Sequence, residues 1–220
     1  MRLGQTSIIY FLSKLFASGL GFLATIYIAR MLGAGPLGIY HVVVGLVSWL
    51  AIAGKVGLSG AISKRVSEGG EPGEYTLAGA AIVLGLFFLI TFGLLLFRGR
   101  IVNYVGYPAT GYIALILLVV LLQSLVNALL AGLHLVHVSG VLSPVRTGGR
   151  ALLQIALVSV GAGTAGLFVG HIIGFTLVIV VGSYFIARNL PSVTWPKRRH
   201  FDRLVDFAKF SWLGNLQSDV

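Results

Sequence analysis

The fold turns on Ser7–Tyr40, SIIYFLSKLFASGLGFLATIYIARMLGAGPLGIY. It is a long apolar run interrupted once, by Lys14. Arg30 closes it, and a turn with Gly33, Gly35 and Gly38 around Pro36 follows. Crossing a bilayer as a helix takes about 20 mostly apolar residues, so residues 8–32 suffice for one span. A lysine at the centre of such a span costs about 2.5–3.5 kcal/mol, and less near an edge. Lys14 therefore either snorkels to an edge or faces something polar.

Composition places the whole chain in the same class. Of its 220 residues, 57% are hydrophobic and 10% charged, against about 25% charged in soluble domains. That deficit predicts an integral membrane protein. The net charge of +10 is then explained by basic cytoplasmic loops and not by a nucleic-acid partner. Absence of cysteine excludes a disulfide framework, a thiol nucleophile and a Cys-based metal site. The N-terminus reads as a retained helix. It has only Arg2 ahead of an apolar run far longer than the ~7–15 residues of a signal peptide.

Five further apolar runs, at residues 38–62, 75–97, 110–135, 142–161 and 165–187, bring the predicted spans to six. In the first span Ser7, Lys14, Ser18, Gly21 and Thr25 fall on one helix face. In the second, His41, Gly45, Ser48, Lys55 and Ser59 do the same, with Ile52 filling the gap and Trp49 off the stripe. Stripes of small residues serve as packing seams; with a lysine in each, they also suit the wall of a hydrated cavity. On the second reading Lys14, Ser18, His41, Ser48 and Lys55 are candidate binding residues. Gly54, Gly57 and Gly60 predict a kink near Lys55.

The third run carries no charge and reads as a lipid-facing or packing helix. Gln123 and Asn127, at i and i+4 of the fourth, are further binding candidates, although buried amides also join helices. In the fifth, Pro144 suits a first helical turn. That puts Arg146 and Arg150 near the membrane edge as anchors, with Gln154 one turn on. His171 of the sixth reads as an interface residue. After Arg188 comes a basic loop, then Phe201, Leu204, Val205, Ala208 and Trp212 at helical spacing opposite Asp202, Arg203, Asp206 and Lys209. This predicts an amphipathic helix at the membrane surface. The expected division is a six-helix membrane unit, 1–190, and a basic segment, 191–220.

Loop charge sets the orientation. One side holds Arg2, Lys64, Arg65, Arg146, Arg150, Arg188, Lys197, Arg198, Arg199, Arg203 and Lys209; the other holds Arg30, Arg98 and Arg100. Eleven against three predicts both ends cytoplasmic. The six acids, Glu68, Glu71, Glu74, Asp202, Asp206 and Asp219, fall in predicted loops or the tail. No carboxylate pair is placed to hold Mg²⁺ for a prenyl-phosphate transfer, and none lies within a span to couple transport to a cation. Neither HExxH nor GxSxG occurs. No catalytic residue, metal or cofactor is predicted. What remains is a positively biased cavity suited to a phosphate or pyrophosphate.

Two stretches carry a resemblance. Ala29-Arg30-Met31-Leu32-Gly33-Ala34-Gly35-Pro36-Leu37-Gly38-Ile39-Tyr40 and Gly60-Ala61-Ile62-Ser63-Lys64-Arg65-Val66-Ser67-Glu68 are similar to the N-terminal half of the polysaccharide-biosynthesis flippases. These are the Wzx-type lipid-linked oligosaccharide transporters of the MOP superfamily. The resemblance implies two helical lobes about a central cavity with alternating access; the glycine-rich turn makes Gly33, Gly35 and Gly38 the expected hinge. It implies as substrate a polyprenyl-diphosphate-linked glycan moved across the plasma membrane. Lipid II flippases, a more distant resemblance, carry a basic residue where Lys14 stands relative to Arg30.

One departure is length. Such transporters have about twelve or more spans, and six are expected here. Asp206–Leu213 resembles the start of a second lobe. The expected partners are therefore membrane lipid, the lipid-linked glycan, and a second lobe or a second copy of the chain. Two rival readings are half of a MATE-like drug/cation antiporter, which needs an intramembrane carboxylate, and a non-transporting membrane scaffold.

Overall fold

The computed structural model describes the backbone of residues 3–55, 57–191 and 193–217, and the side chains of residues 11–52, 57–191 and 193–208. All regular structure among them is helical. In chain order the helices are α1 (Leu3–Leu32), α2 (Ala34–Lys55), α3 (Leu58–Ser67), α4 (Pro72–Leu96), α5 (Arg98–Val105), α6 (Thr110–Gly132), α7 (Val136–Ser159), α8 (Gly163–Asn189) and α9 (Arg198–Gln217). In lipid a backbone must satisfy its own polar groups, which leaves the helix as the form for these apolar runs. Five helices, α1, α2, α4, α6 and α8, are long and apolar enough to cross a membrane. At 24 residues, α7 has the length of a sixth but carries Arg146 and Arg150. The chain is an all-α, multi-pass membrane protein.

The core forms around α6, which packs against α2, α3, α4 and α8. Its Ile113, Ile116, Leu117, Leu121 and Leu130 are fully buried. On the far side α7 lies between α8 and α1. The apolar surface left outside, such as Phe88, Leu89 and Phe92 of α4, faces lipid.

Small residues set how closely helices approach. Gly166, Gly170 and Gly174 recur every four residues along α8. A Cβ on Gly170 would lie 2.9 Å from the Gln154 amide nitrogen, and one on Gly174 would lie 2.9 Å from Arg150 Cα. This is a small-xxx-small seam, which lets two backbones meet closely. Gly132 of α6 approaches the Ser63 carbonyl of α3 in the same way.

The structure corrects several expected boundaries. The expected second span, 38–62, is two helices: Gly57 takes a left-handed φ of 67° and separates α2 from α3. Its freedom from a Cβ also lets the Ala208 backbone of α9 pack directly on it. The third span begins at Pro72, so Glu74 lies in its first turn. A short α5 follows it, ended by left-handed Gly106.

The largest correction concerns α7. It begins at Val136, not at residue 142, and Pro144 lies inside it. An interior proline is tolerated where a missing backbone hydrogen bond is compensated by surroundings; its ring leaves the Gly140 carbonyl without an i+4 donor. Arg146 is consequently ten residues, about 15 Å, beyond the helix start, and edge anchoring does not describe it.

The amphipathic helix expected at the membrane surface is α9, and it docks on α3 and α4. Leu204 and His200 are buried there. His200 receives the Lys197 backbone N–H at Nδ1 (2.8 Å) and lies 2.9 Å from Glu71 through Nε2. Arg199 pairs with Glu71, the Thr194 hydroxyl donates to Glu74, and Lys64 sits 4.6 Å over the Phe207 ring. A polar clasp thus ties the α3–α4 turn to the start of α9. Trp212, Lys209 and Asp219, also read from the sequence, lie outside the described side chains.

Candidate functional site

Arg146, Arg150 and Gln154 fall at i, i+4 and i+8 of α7 and share a face turned toward α8. Gln154, buried, donates to the Leu167 carbonyl at 2.8 Å and so fixes the register of the two helices. Arg150, half-buried, lies with Gln154 beside the Tyr40 hydroxyl of α2. That hydroxyl is 2.8 Å from Nδ1 of His171 on α8. The histidine expected as an interface residue is therefore part of a polar core linking α2, α7 and α8. Arg146, one turn earlier, lies 5.3 Å over the Phe175 ring.

Beyond Arg146 a groove of about 990 Å³ opens between α1, α6 and α7. Its polar wall is Ser13 of α1, Gln123 and Asn127 of α6, and His137, Ser139, Ser143 and Arg146 of α7. Apolar Phe16, Leu20, Val141 and Val145 make up much of the rest. Gln123 donates to Asn127 at 3.1 Å, while its Oε1 is buried with no protein partner among the described residues. Pro144 and Gly140 also line the groove, so the carbonyl that Pro144 leaves without a donor belongs to its wall.

The electrostatics are one-sided. No carboxylate belongs to α1, α2, α6, α7 or α8. The described acids cluster at the α3–α4 turn and on α9. An arginine deep in a span and without a carboxylate is costly, and such groups are retained where they meet a ligand or water. Among the described residues, no group of His, Asp and Glu is arranged to hold a metal ion.

The predicted site residues separate into two sets. Gln123 and Asn127 come together in the groove. Lys14 and Ser18 lie on the exposed face of α1, and His41 and Ser48 on the exposed face of α2. The Ser48 hydroxyl bonds back to the Val44 carbonyl at 2.8 Å. Packing within the lobe uses other faces of the two helices, through Ala17, Ala24 and Ile28 of α1 and Tyr40, Val43 and Val47 of α2. Through Lys14 and Ser18, and through His41 and Ser48, the two stripes are thus not packing seams of this lobe, whereas Ser59, on α3, bonds Ser124 of α6 at 2.9 Å. Lys14, exposed, is about a third of a turn from the row of Ser13, Ala17 and Leu20 that lines the groove and is not itself part of the lining. Lys55 ends α2, and its side chain lies outside the described ones.

Of the three glycines expected to hinge, Gly33 is the single residue joining α1 to α2, at φ 80°. Gly35 and Gly38 lie within α2. Pro144 read as a first-turn residue puts Arg146 at the membrane edge, whereas the structure puts it in the interior of α7 on the groove wall. The sequence signal for it is the Arg146, Arg150, Gln154 row at i, i+4 and i+8; in the fold Gly174 and Gly170 of α8 lie against Arg150 and Gln154.

A family model described as polysaccharide biosynthesis protein matches residues 3–214. The probable low-salt glycan biosynthesis flippase Agl15 of Haloferax volcanii is 30% identical over 98% of this chain and 45% of its own length. The probable flippase AglR of the same organism is 28% identical over 98% of the chain and 45% of its own length. The chain spans about half the length of these curated relatives. No solved structure matches it. The chain belongs to the polysaccharide biosynthesis protein family.

Proposed function

We propose that this chain is a transporting lobe of a flippase for polyprenyl-diphosphate-linked glycan. In this reading the groove between α1, α6 and α7 receives the diphosphate head. The observation that carries it is Arg146: a cation well inside α7, set in a groove wall with an amide pair and hydroxyls, with no carboxylate on the surrounding helices. Such a site favours a dianionic head over a cation. The apolar part of the wall suits the first isoprene units, while the rest of the tail stays in lipid.

Lys14, exposed beside the lining row of α1, meets the head as it enters or leaves. The exposed polar faces bearing Ser18, His41 and Ser48 line the passage shared with a second lobe, and Lys55 follows Ser48 by seven residues in the sequence. Rocking about Gly33 alternates access, the two-state motion common to transporters built from paired bundles. With Arg146 and Arg150 assigned to the interior of α7, the loop charge is still nine against three, which supports cytoplasmic placement of both chain ends in the plasma membrane. The partners are membrane lipid, the lipid-linked glycan and the second lobe, with no nucleic acid and no catalytic step.

The test is transport by the complete protein in vesicles, using a fluorescent polyprenyl-diphosphate-linked sugar. Loss of a charge-assisted contact predicts a rate at least about tenfold lower in Arg146→Gln. Equal rates would remove Arg146, and with it the groove, from the mechanism.

A further inference from the structure

We propose that Phe175, braced by the buried His171–Tyr40 pair, is the mount that holds Arg146 at the groove wall and is thus a positioning residue for diphosphate recognition. The proposal rests on the head-group reading of the groove. Phe175 is absent from the groove lining, so its action on a ligand passes through Arg146.

Three side chains from two helices form the mount, and Arg146 of α7 rests on it. Tyr40 of α2 is buried, with its hydroxyl 2.8 Å from His171 Nδ1. The His171 ring stacks on Phe175, one turn along α8, at 4.5 Å between centroids and 27° between planes. Phe175 in turn carries the Arg146 guanidinium at 5.3 Å. His171 is 2% exposed and its Nε2 has no protein partner among the described residues. The imidazole therefore serves as a stacking surface pinned at one nitrogen. The adjoining glycine, Gly174, brings α8 against the α7 backbone at Arg150 and so sets the ring within reach of Arg146.

The chemistry suits the task. A ring face stabilises a guanidinium that has no carboxylate beside it. A ring face, unlike a carboxylate, offers no lone pairs to take up the N–H fork, which stays available for paired oxygens of a diphosphate. A carboxylate partner would occupy that fork and cancel the charge. Arg150, one turn further and also cationic, repels Arg146, and a ring face is the one partner on α8 described in contact with the Arg146 guanidinium.

The experiment measures equilibrium binding of farnesyl diphosphate to the complete protein in detergent, with farnesol as the uncharged control. Phe175→Leu is expected to weaken farnesyl diphosphate binding about tenfold and leave farnesol unchanged. Stepwise fluorination of phenylalanine at 175, which drains the ring face with little change of shape, should weaken binding in steps. In an Arg146→Gln background both effects should vanish. A flat response to fluorination, or a Phe175→Leu loss that adds in full to that of Arg146→Gln, overturns the proposal. If Arg146→Gln alone leaves farnesyl diphosphate binding untouched, the head-group reading fails and the mount fails with it.

Discussion

Replacing Gly174 with alanine puts a methyl group into the backbone of the neighbouring helix. The new Cβ would lie 2.9 Å from Arg150 Cα and 3.1 Å from Arg150 N, where ordinary contact begins at 3.4 Å. Backbone atoms cannot swing aside, so α7 and α8 must part by about 0.5 Å, enough to forfeit about a quarter of each contact's dispersion energy along the seam. Overpacking of this kind costs about 1–3 kcal/mol. The better helix propensity of alanine returns up to about 1 kcal/mol, which leaves a net loss of up to about 2 kcal/mol. At about 2–4 °C per kcal/mol for a chain of this size, the melting temperature in mild detergent should fall by up to about 8 °C, and by about 2–12 °C relative to a variant that gains the same propensity without the clash. Gly149→Ala on α7 is the control, because nothing lies within 4 Å of its Cβ; it should melt at or above the parent temperature. If Gly174→Ala melts no lower than Gly149→Ala, the close α7–α8 seam is wrong, and so is the placement of Arg146 over Phe175 that depends on it.

Three further outcomes follow from the same geometry. The Glu71 carboxyl is held below its ordinary value, chiefly by the hydrogen bond to His200 and further by Arg199; its contribution to the clasp is full above the ordinary carboxylate value and is lost as pH falls through the depressed one. Spin labels on Gly70→Cys and Val205→Cys should therefore report one short distance at neutral pH that broadens on strong acidification, and Glu71→Gln should be broad throughout. Gly33→Ala forces a side chain into a left-handed backbone and should destabilise by about 1–2 kcal/mol, whereas Gly35→Ala and Gly38→Ala, with open space around each Cβ, should melt no lower than the parent; equal melting of all three would dissociate the hinge from Gly33. Cysteine at Ser18 or Ser48 should react with a water-soluble thiol reagent in the complete protein and cysteine at Ala24, 3% exposed and outside the groove lining, should not; unreactive Ser18→Cys and Ser48→Cys would make the two stripes dry.

Much of the fold was legible because hydropathy alone specifies long helices in lipid. The Gln123–Asn127 pair was legible too, since i, i+4 spacing fixes two amides on one face. What periodicity could not supply was the direction each face takes. Lys14, Ser18, His41 and Ser48 form real stripes, but whether a stripe turns into the lobe or out of it depends on which side of α1 meets α7. Arg146 was hidden by Pro144. Proline is common in a first turn, and only the packing of α8 against residues 136–159 shows that the helix starts two turns earlier. The clasp of Glu71 with His200 joins residues far apart in sequence, a relation that no local pattern encodes. Gly166, Gly170 and Gly174 were visible at their spacing, yet a uniformly apolar helix gives no sign of which neighbour its glycines approach.

Occupation of the groove between α1, α6 and α7 by a diphosphate head can be read with a photoreactive polyprenyl diphosphate, cross-linked to the complete protein in membranes and mapped by peptide mass spectrometry. Adducts are expected on groove-lining segments, such as residues 136–148 of α7, competed away by unlabelled farnesyl diphosphate and diminished in Arg146→Gln. Adducts confined to the lipid-facing side of α4, or adducts on α7 that Arg146→Gln leaves unchanged, would contradict that occupation.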